Sequence, residues 1–317
     1  MKSIFEQRLG FSANLTELSK TICRNFNLGN LIEYKPILIG YDDFNFSIKT
    51  KTNKFLVKIF SKEKTLDNCK RNIKIIARAL EKGVSVPKLH KSKQGYLHII
   101  KTADGLLRFC VMDFIEAEDL FTSKTSISKE DMLMIAYQAS LINSIDTKPP
   151  KIYDTWAITN FPLEFKKKYK YLEKHDLELI TPLLETFKKL SIKKLPHCFV
   201  HGDIIRTNVI KDKNGKIWII DFSVSNYYPR IQELAILACD ILFTKDKKKR
   251  KQNLRVALEE YQKIIKLTQT ELASLPNYIK IAHAMFVLCA TYEKKVNNNN
   301  TKENKYFLSL GKTGLRQ

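Results

Sequence analysis

The spacing of apolar residues splits the chain into a strand-rich first third and a mainly helical remainder. Between positions 13 and 26, Leu15, Leu18, Ile22 and Phe26 recur at helical spacing and predict a short helix. The pattern then turns strand-like. "ILIGYDDFNFSIKT" (37–50), the turn "KTN" and "KFLVKIF" (54–60) read as an antiparallel pair. Over 65–82 the helical period returns, with Cys69, Ile73, Ile76 and Leu80 on one face and Gly83 as its stop. "YLHIIKT", the turn "ADG" and "LLRFCVMDFI" (96–115) give a second hairpin. The first part is therefore a small sheet carrying one long helix.

Past "MDFIEAEDL" the period is helical. The segments are "KEDMLMIAYQASLINSI", "PLEFKKKYKYLEKHDLELITPLLETFKKL", "IQELAILACDILF", "RVALEEYQKIIKL" and "LPNYIKIAHAMFVLCATYEKKV". The polar stretch "NNNNTKENK" (297–305) reads as an exposed loop. One segment breaks the helical run: "HGDIIRTNVIKDKNGKIWIIDF" (201–222), a β-island inside the helical half. The pattern gives an α+β chain in two parts, 1–113 with the sheet and 114–317 with the helices.

Composition narrows the class without naming a function. At 317 residues, 44% hydrophobic and 28% charged, the chain is an ordinary globular protein long enough for two domains. Apolar runs such as "LHII" and "IWII" fall far short of the ~20 residues that span a bilayer. "MKSIFEQRLGF" lacks a signal-peptide core, so a cytoplasmic location and no membrane partner are expected. The six cysteines are scattered without a CxxC pair, which favours buried thiols over a disulfide or zinc framework. The net charge of +22 would suit a polyanion, but the lysines are spread along the whole sequence. The one dense run, "KDKKKRK" (245–251), reads as a solvated connector between helices. Nucleic acid is not expected as the main partner.

The β-island concentrates the chemistry. Asn214-Gly215 between two apolar runs is the strongest short-range hairpin signal. A two-residue loop there pairs Lys213 with Lys216, and hence Ile210 with Ile219, Val209 with Ile220 and Asn208 with Asp221. Opposed residues share a face. An amide oxygen and a carboxylate would then meet at the open end of the ribbon, a donor pair suited to Mg²⁺. Asp203, on the preceding loop, can reach the same space. Taken singly, an Asn or Asp at a strand end is more often a turn former or cap. The spacing HxDxxxxN, followed 13 residues later by Asp after an apolar run, is rare by chance.

His201, Gly202, Asp203, Asn208 and Asp221 resemble the HGDxxxxN loop, hairpin and apolar-apolar-Asp segment of the aminoglycoside phosphotransferase and choline kinase family. That family has a protein-kinase-like two-lobe fold. The resemblance implies two lobes joined near 112–116, with the nucleotide in the cleft. It further implies that Asp203 is the catalytic base, and that Asn208 and Asp221 hold magnesium. His201 reads as a brace for the loop rather than a proton shuttle. Arg206, within "HGDIIRTN", is a candidate contact for the γ-phosphate or an anionic substrate group, with a surface salt bridge as the plainer alternative. "KFLVKIF" is similar to the strand whose Lys reaches the ATP phosphates, here Lys58. "GYDDFNF" (40–46), with Asn45, takes the place of the phosphate-covering loop. "CVMDFIE" matches the hinge, where backbone groups from Asp113 to Ile115 would meet adenine.

One position departs from the family pattern. The helix Glu that usually pairs with the strand Lys falls on Asn72, and Glu63, the nearest other candidate, precedes the helix. "DFSVSNYYPRIQEL" leaves no room for a long activation segment, so a protein substrate is not expected. The implied activity is transfer of the ATP γ-phosphate to a hydroxyl of a small molecule: an amino acid, amino alcohol, aminoglycoside or sugar. "GYDDFNF", Arg206 and "ELAILACDILF" lean towards the homoserine-kinase-like branch. The alternatives are a catalytically weak, nucleotide-binding regulatory relative and a nucleotidyl-transferring or RNA-associated member of the same fold. Asn72 favours the regulator, whereas Asp203, Asn208 and Asp221 together favour the kinase.

Overall fold

The computed structural model describes residues 5, 9–11, 14–37 and 43–317. Gly40, Tyr41 and Asp42 of the expected phosphate-covering loop, with residues 38 and 39, lie outside the described residues. Two compact units are present, Met1–Ala117 and Glu118–Gln317.

The first unit contains α1 (Leu15–Asn25), whose N-terminal amides at Thr16 and Glu17 are capped by the Asn14 side chain. β1 (Leu31–Ile37), β2 (Phe44–Thr50), β3 (Lys54–Ile59), β4 (Leu89–His90), β5 (His98–Thr102) and β6 (Gly105–Asp113) follow. α2 (Leu66–Glu81) lies between β3 and β4. The sheet runs β1-β2-β3-β6-β4 with β5 also on β6, and its pairings are antiparallel. The two expected hairpins are present, β2 with β3 and β5 with β6. The sequence pattern does not show β1. It is an edge strand with little burial and a register break after Leu31, so it lacks the alternation that marks a half-buried strand.

The sheet is buried on both faces because its apolar alternation is matched by two covers. Phe44, Phe46, Phe55, Val57, Phe109 and Val111 pack with Leu18 and Ile22 of α1. On the opposite face Leu56, Cys110 and Met112 meet Cys69 and Ile73 of α2. Asn45, Lys58 and Cys110 are register partners across β2, β3 and β6, so Asn45 and Lys58 lie on the α2 side.

The second unit is built mainly from helices. α3 (Lys129–Asn143) starts at a capping box between Ser128 and Asp131. The long run expected over 162–190 is interrupted. It forms α4 (Phe161–Lys168), a 3₁₀ turn at Tyr169–Tyr171, α5 (Lys174–Ile180) and α6 (Leu183–Lys189). Two short ribbons follow: β7 (His197–Val200) with β10 (Asn226–Pro229), and β8 (Val209–Lys211) with β9 (Ile217–Ile219). α7 (Ile231–Cys239), α8 (Lys247–Tyr261), α9 (Gln269–Val296) and α10 (Lys302–Leu315) complete the unit.

Three expectations are corrected here. The basic run 245–251 is not a connector. Asp246 caps Lys248 and Lys249, and the lysines form the first turns of α8. The stretch 297–305 is only partly loop, because Thr301 caps α10 from Lys302 onward. α9 begins earlier than the apolar pattern shows, at a Thr268–Glu271 capping box, and carries Pro276 inside it. By length and composition α9 is apolar enough to cross a membrane, although two thirds of its most apolar stretch is buried within this protein. α10 approaches α9 closely through Gly311 and Gly314. A Cβ at Gly314 would lie 2.3 Å from the His283 ring, and one at Gly311 would lie 2.7 Å from the His283 carbonyl oxygen.

Candidate active site

The β8–β9 ribbon differs by one residue from its expected pairing. Val209 opposes Ile219, Ile210 opposes Trp218 and Lys211 opposes Ile217. Asp212 N–H donates to the Lys216 carbonyl at 3.0 Å, Gly215 N–H donates to the Asp212 carbonyl at 2.9 Å, and Gly215 has φ +80°. This is a three-residue loop whose left-handed Gly closes a bulge, rather than the two-residue loop that Asn-Gly also favours. The Asp212 carboxylate selects it by accepting from Asn214 N, Lys216 N and Trp218 Nε1. Asn208 therefore opposes Ile220, whose N–H donates to the Asn208 carbonyl at 3.0 Å, and not Asp221.

Asp221 is redirected by its backbone. It takes φ +62°, a left-handed conformation that short polar side chains tolerate, and its Oδ1 accepts the Ser223 N–H at 3.2 Å. The next residue, Phe222, is buried with its ring 4.4 Å from that of His201. The Asp221 side chain is exposed. Its negative charge still acts on Asp203 and His201.

Asn208 Nδ2 donates to Asp203 Oδ2 at 2.6 Å and to the Asp203 carbonyl at 3.0 Å. The amide nitrogen is thus spent on Asp203, so only Oδ1 of Asn208 could meet a cation. Desolvation, followed by the negative charges of Asp154 and Asp221, raises the Asp203 carboxyl well above the usual carboxylate range, against the Asn208 hydrogen bond. Glu303 adds to the same negative field. Oxygen donors on Asn208 and Asp221, in a field of surplus negative charge, fit one hard divalent cation.

The loop itself is clamped from below. Glu233 of α7 accepts His201 N–H (2.7 Å), Gly202 N–H (3.2 Å) and Asn143 Nδ2 (3.3 Å). Burial pushes its carboxyl up to about 7. Gly202 has φ +82°, which a side chain would resist. His201 is fully buried; its Nε2 contacts the Ile220 carbonyl at 3.2 Å and its Nδ1 accepts the Asp203 N–H at 3.2 Å. Desolvation lowers it to about 4, so it stays neutral and braces the loop. Arg206 is paired: Asp240 accepts its backbone N–H at 2.8 Å and lies 3.4 Å from its Nε, and Tyr306 hydroxyl donates to the same carboxylate.

In the first unit Lys58 Nζ lies 3.3 Å from Asp43 Oδ2. Asn45, opposite Lys58, has its Oδ1 buried without a partner among the described residues. Asn72 is buried on α2, and Glu63 is exposed. The Asp113 N–H donates to the Lys88 carbonyl, its side chain accepts from His90 Nε2 at 2.6 Å, and the Ile115 carbonyl accepts the Ala117 N–H.

Sequence reasoning missed Asp43, Asp154, Glu233, Asp240 and Glu303. Asp43 lay inside the quoted "GYDDFNF" without being singled out, and "IQELAILACD" carried a signal, a Glu and an Asp in an otherwise apolar helix, where an unpaired carboxylate is costly.

Residues 33–272, about three quarters of the chain, match the phosphotransferase enzyme family. The homoserine kinase of Methylobacillus glycogenes is 19% identical over 283 residues, covering 88% of this chain and 85% of that protein. Among solved structures, the microcompartment-associated aminopropanol kinase superposes with a TM-score of 0.71 at 10% identity, covering 95% of each chain. Amicoumacin kinase in complex with AMP-PNP, Ca²⁺ and Ami superposes with a TM-score of 0.69 at 16% identity, covering 96% of this chain and 94% of that one. The loop around Asp203, the α+β fold and the match over most of the chain converge: the protein belongs to the phosphotransferase enzyme family, with a protein-kinase-like fold, and is an ATP-dependent kinase acting on a small-molecule hydroxyl.

Proposed function

We propose that the acceptor is a small amino alcohol or hydroxylated amino acid, with homoserine the first to test, and that the metal is Mg²⁺. The observation that supports this reading is the Asp203 loop: an acid hydrogen-bonded to Asn208 and within the field of the Asp221 charge, on a loop whose amides the buried Glu233 holds. Two supports bear on the acceptor. The homoserine kinase relative spans most of the chain, and the negative field of Asp154 and Glu303 beside Asp203 favours a substrate bearing an ammonium group.

Asp203 orients the acceptor hydroxyl and takes its proton, a late event in a loose phosphoryl-transfer transition state that depends mostly on positioning. Asn208 Oδ1 and the Asp221 carboxylate hold the Mg²⁺, which when bound neutralises phosphate charge and returns Asp203 towards its ionised form. Lys58 and Asn45 hold the ATP phosphates, and backbone groups from Asp113 to Ile115 meet adenine. Residues 1–113 form the nucleotide-binding part and 114–317 the catalytic and substrate part. Arg206, steadied by Asp240, meets a phosphate or an anionic group of the acceptor.

ATP consumption screened over homoserine, choline, ethanolamine, hydroxylated amino acids, aminoglycosides and pentoses tests this. Preference for homoserine or another amino alcohol is expected. Selective turnover of a pentose overturns the acceptor class. Nucleotide binding without acceptor-stimulated turnover favours the regulatory relative that Asn72 first suggested.

A further inference from the structure

We infer that Asp43 is the positioning residue for Lys58, in place of a carboxylate at the α2 position that Asn72 occupies. The inference rests on Lys58 being the lysine that holds the ATP phosphates. Asp43 is 6% exposed and therefore needs compensation for its charge. Among the described residues, three donors supply it. The Ser61 backbone N–H donates to Oδ1 at 3.0 Å, Lys64 Nζ reaches both oxygens at 2.8 and 2.7 Å, and Lys58 Nζ lies 3.3 Å from Oδ2.

The arms differ in strength. Lys64 and Ser61 anchor the carboxylate, whereas Lys58 makes the longest of the contacts and so exchanges it most readily for a phosphate oxygen. Lys58 is itself largely buried, at 16% exposed, among apolar neighbours on the α2 side of the sheet. An ammonium there is costly to bury without a nearby carboxylate.

Asn72 occupies the helix position without contributing charge, and Glu63 points to solvent. Asp43 precedes β2, the strand paired to the one that carries Lys58, with Phe44 opposite Ile59 and Asn45 opposite Lys58. The counterion thus belongs to the same sheet as the lysine.

The test is a double-mutant cycle on the full-length protein: parent, Asp43→Asn, Lys58→Met and the double variant. AMP-PNP affinity in excess Mg²⁺ is measured by calorimetry, and thermal unfolding is followed without nucleotide. Asn at 43 keeps an oxygen for the Ser61 N–H while removing the charge; Asp43→Ser serves the same cycle if Asp43→Asn melts below the assay temperature. Asp43→Asn is expected to weaken AMP-PNP at least about tenfold in the parent and under about twofold in the Lys58→Met background, since a positioning residue acts only through its partner. An equal loss in both backgrounds makes Asp43 a structural staple and overturns the inference. So does an unchanged affinity in Asp43→Asn while Lys58→Met binds poorly. If Lys58→Met itself binds AMP-PNP normally, the reading of Lys58 fails, and the inference fails with it.

Discussion

Asn208 donates its side-chain amide to the Asp203 carboxylate at 2.6 Å, tying the proposed base to a proposed ligand of the metal. A base held in this way is already oriented before any acceptor arrives. Asp203→Asn keeps the volume and one acceptor oxygen but cannot take a proton. Acceptor-stimulated ATP turnover is expected to fall by about 10²-fold or more, the scale of general-base catalysis, with AMP-PNP affinity changed by less than about threefold. Equal turnover in parent and variant removes Asp203 from the chemistry.

Asp221 carries the second prediction. Asp221→Asn retains the acceptor for Ser223 N–H and tolerates the left-handed backbone, so the fold is expected to hold. The loss of charge should raise the Mg²⁺ concentration needed for half-maximal turnover by about tenfold or more. Titrating Mg²⁺ at fixed ATP reads this directly. An unchanged Mg²⁺ requirement assigns the metal elsewhere.

Glu233 makes a pH-dependent contribution whose sign follows from its raised carboxyl. Folded, it titrates at about 7, against a value of 4.5 for an ordinary glutamate. Between those values the folded chain binds more protons than the unfolded one. Its stabilising contribution is therefore complete below 4.5 and is lost as pH rises towards 7. Glu233→Gln does not titrate. The stability difference, parent minus variant, should decline with rising pH across that window by up to about 1.4 kcal/mol per unit. Urea unfolding of both proteins at several pH values measures it, and a flat difference rejects the assignment.

The α9–α10 contact gives a prediction independent of catalysis. Gly311→Ala would place a methyl group 2.7 Å from the His283 carbonyl oxygen and 2.8 Å from a Val287 methyl, inside van der Waals contact with buried groups. Overpacking of this kind costs roughly 1–3 kcal/mol. Urea unfolding should show a loss in that range or beyond, and stability equal to the parent would mean that the helices separate freely.

The local part of this protein was legible from its residues. Apolar alternation placed β2, β3, β5 and β6, and helical spacing placed α1 and α2, because burial on one face dictates period 2 or 3.6 over short stretches. Asp203, Asn208 and Asp221 stood out as candidates because they flank a single hairpin. Register was not legible. Asn-Gly serves both a two-residue loop and the last positions of a three-residue one, and the Asp212 carboxylate decided between them. Edge strand β1 escaped because an exposed strand has no face to mark.

Which charges meet was settled by folding. Glu233 reaches His201 across 32 residues, Tyr306 reaches Asp240 across 66, and Lys64 reaches Asp43 across 21. No periodicity relates such positions. Their pairing follows from packing that buries each carboxylate beside whatever donors the fold brings there, since a buried charge left without them costs more than the contact returns. The Asp203 motif was therefore written in one stretch of chain, while the clamp beneath it and the counterion of Lys58 arose from folding.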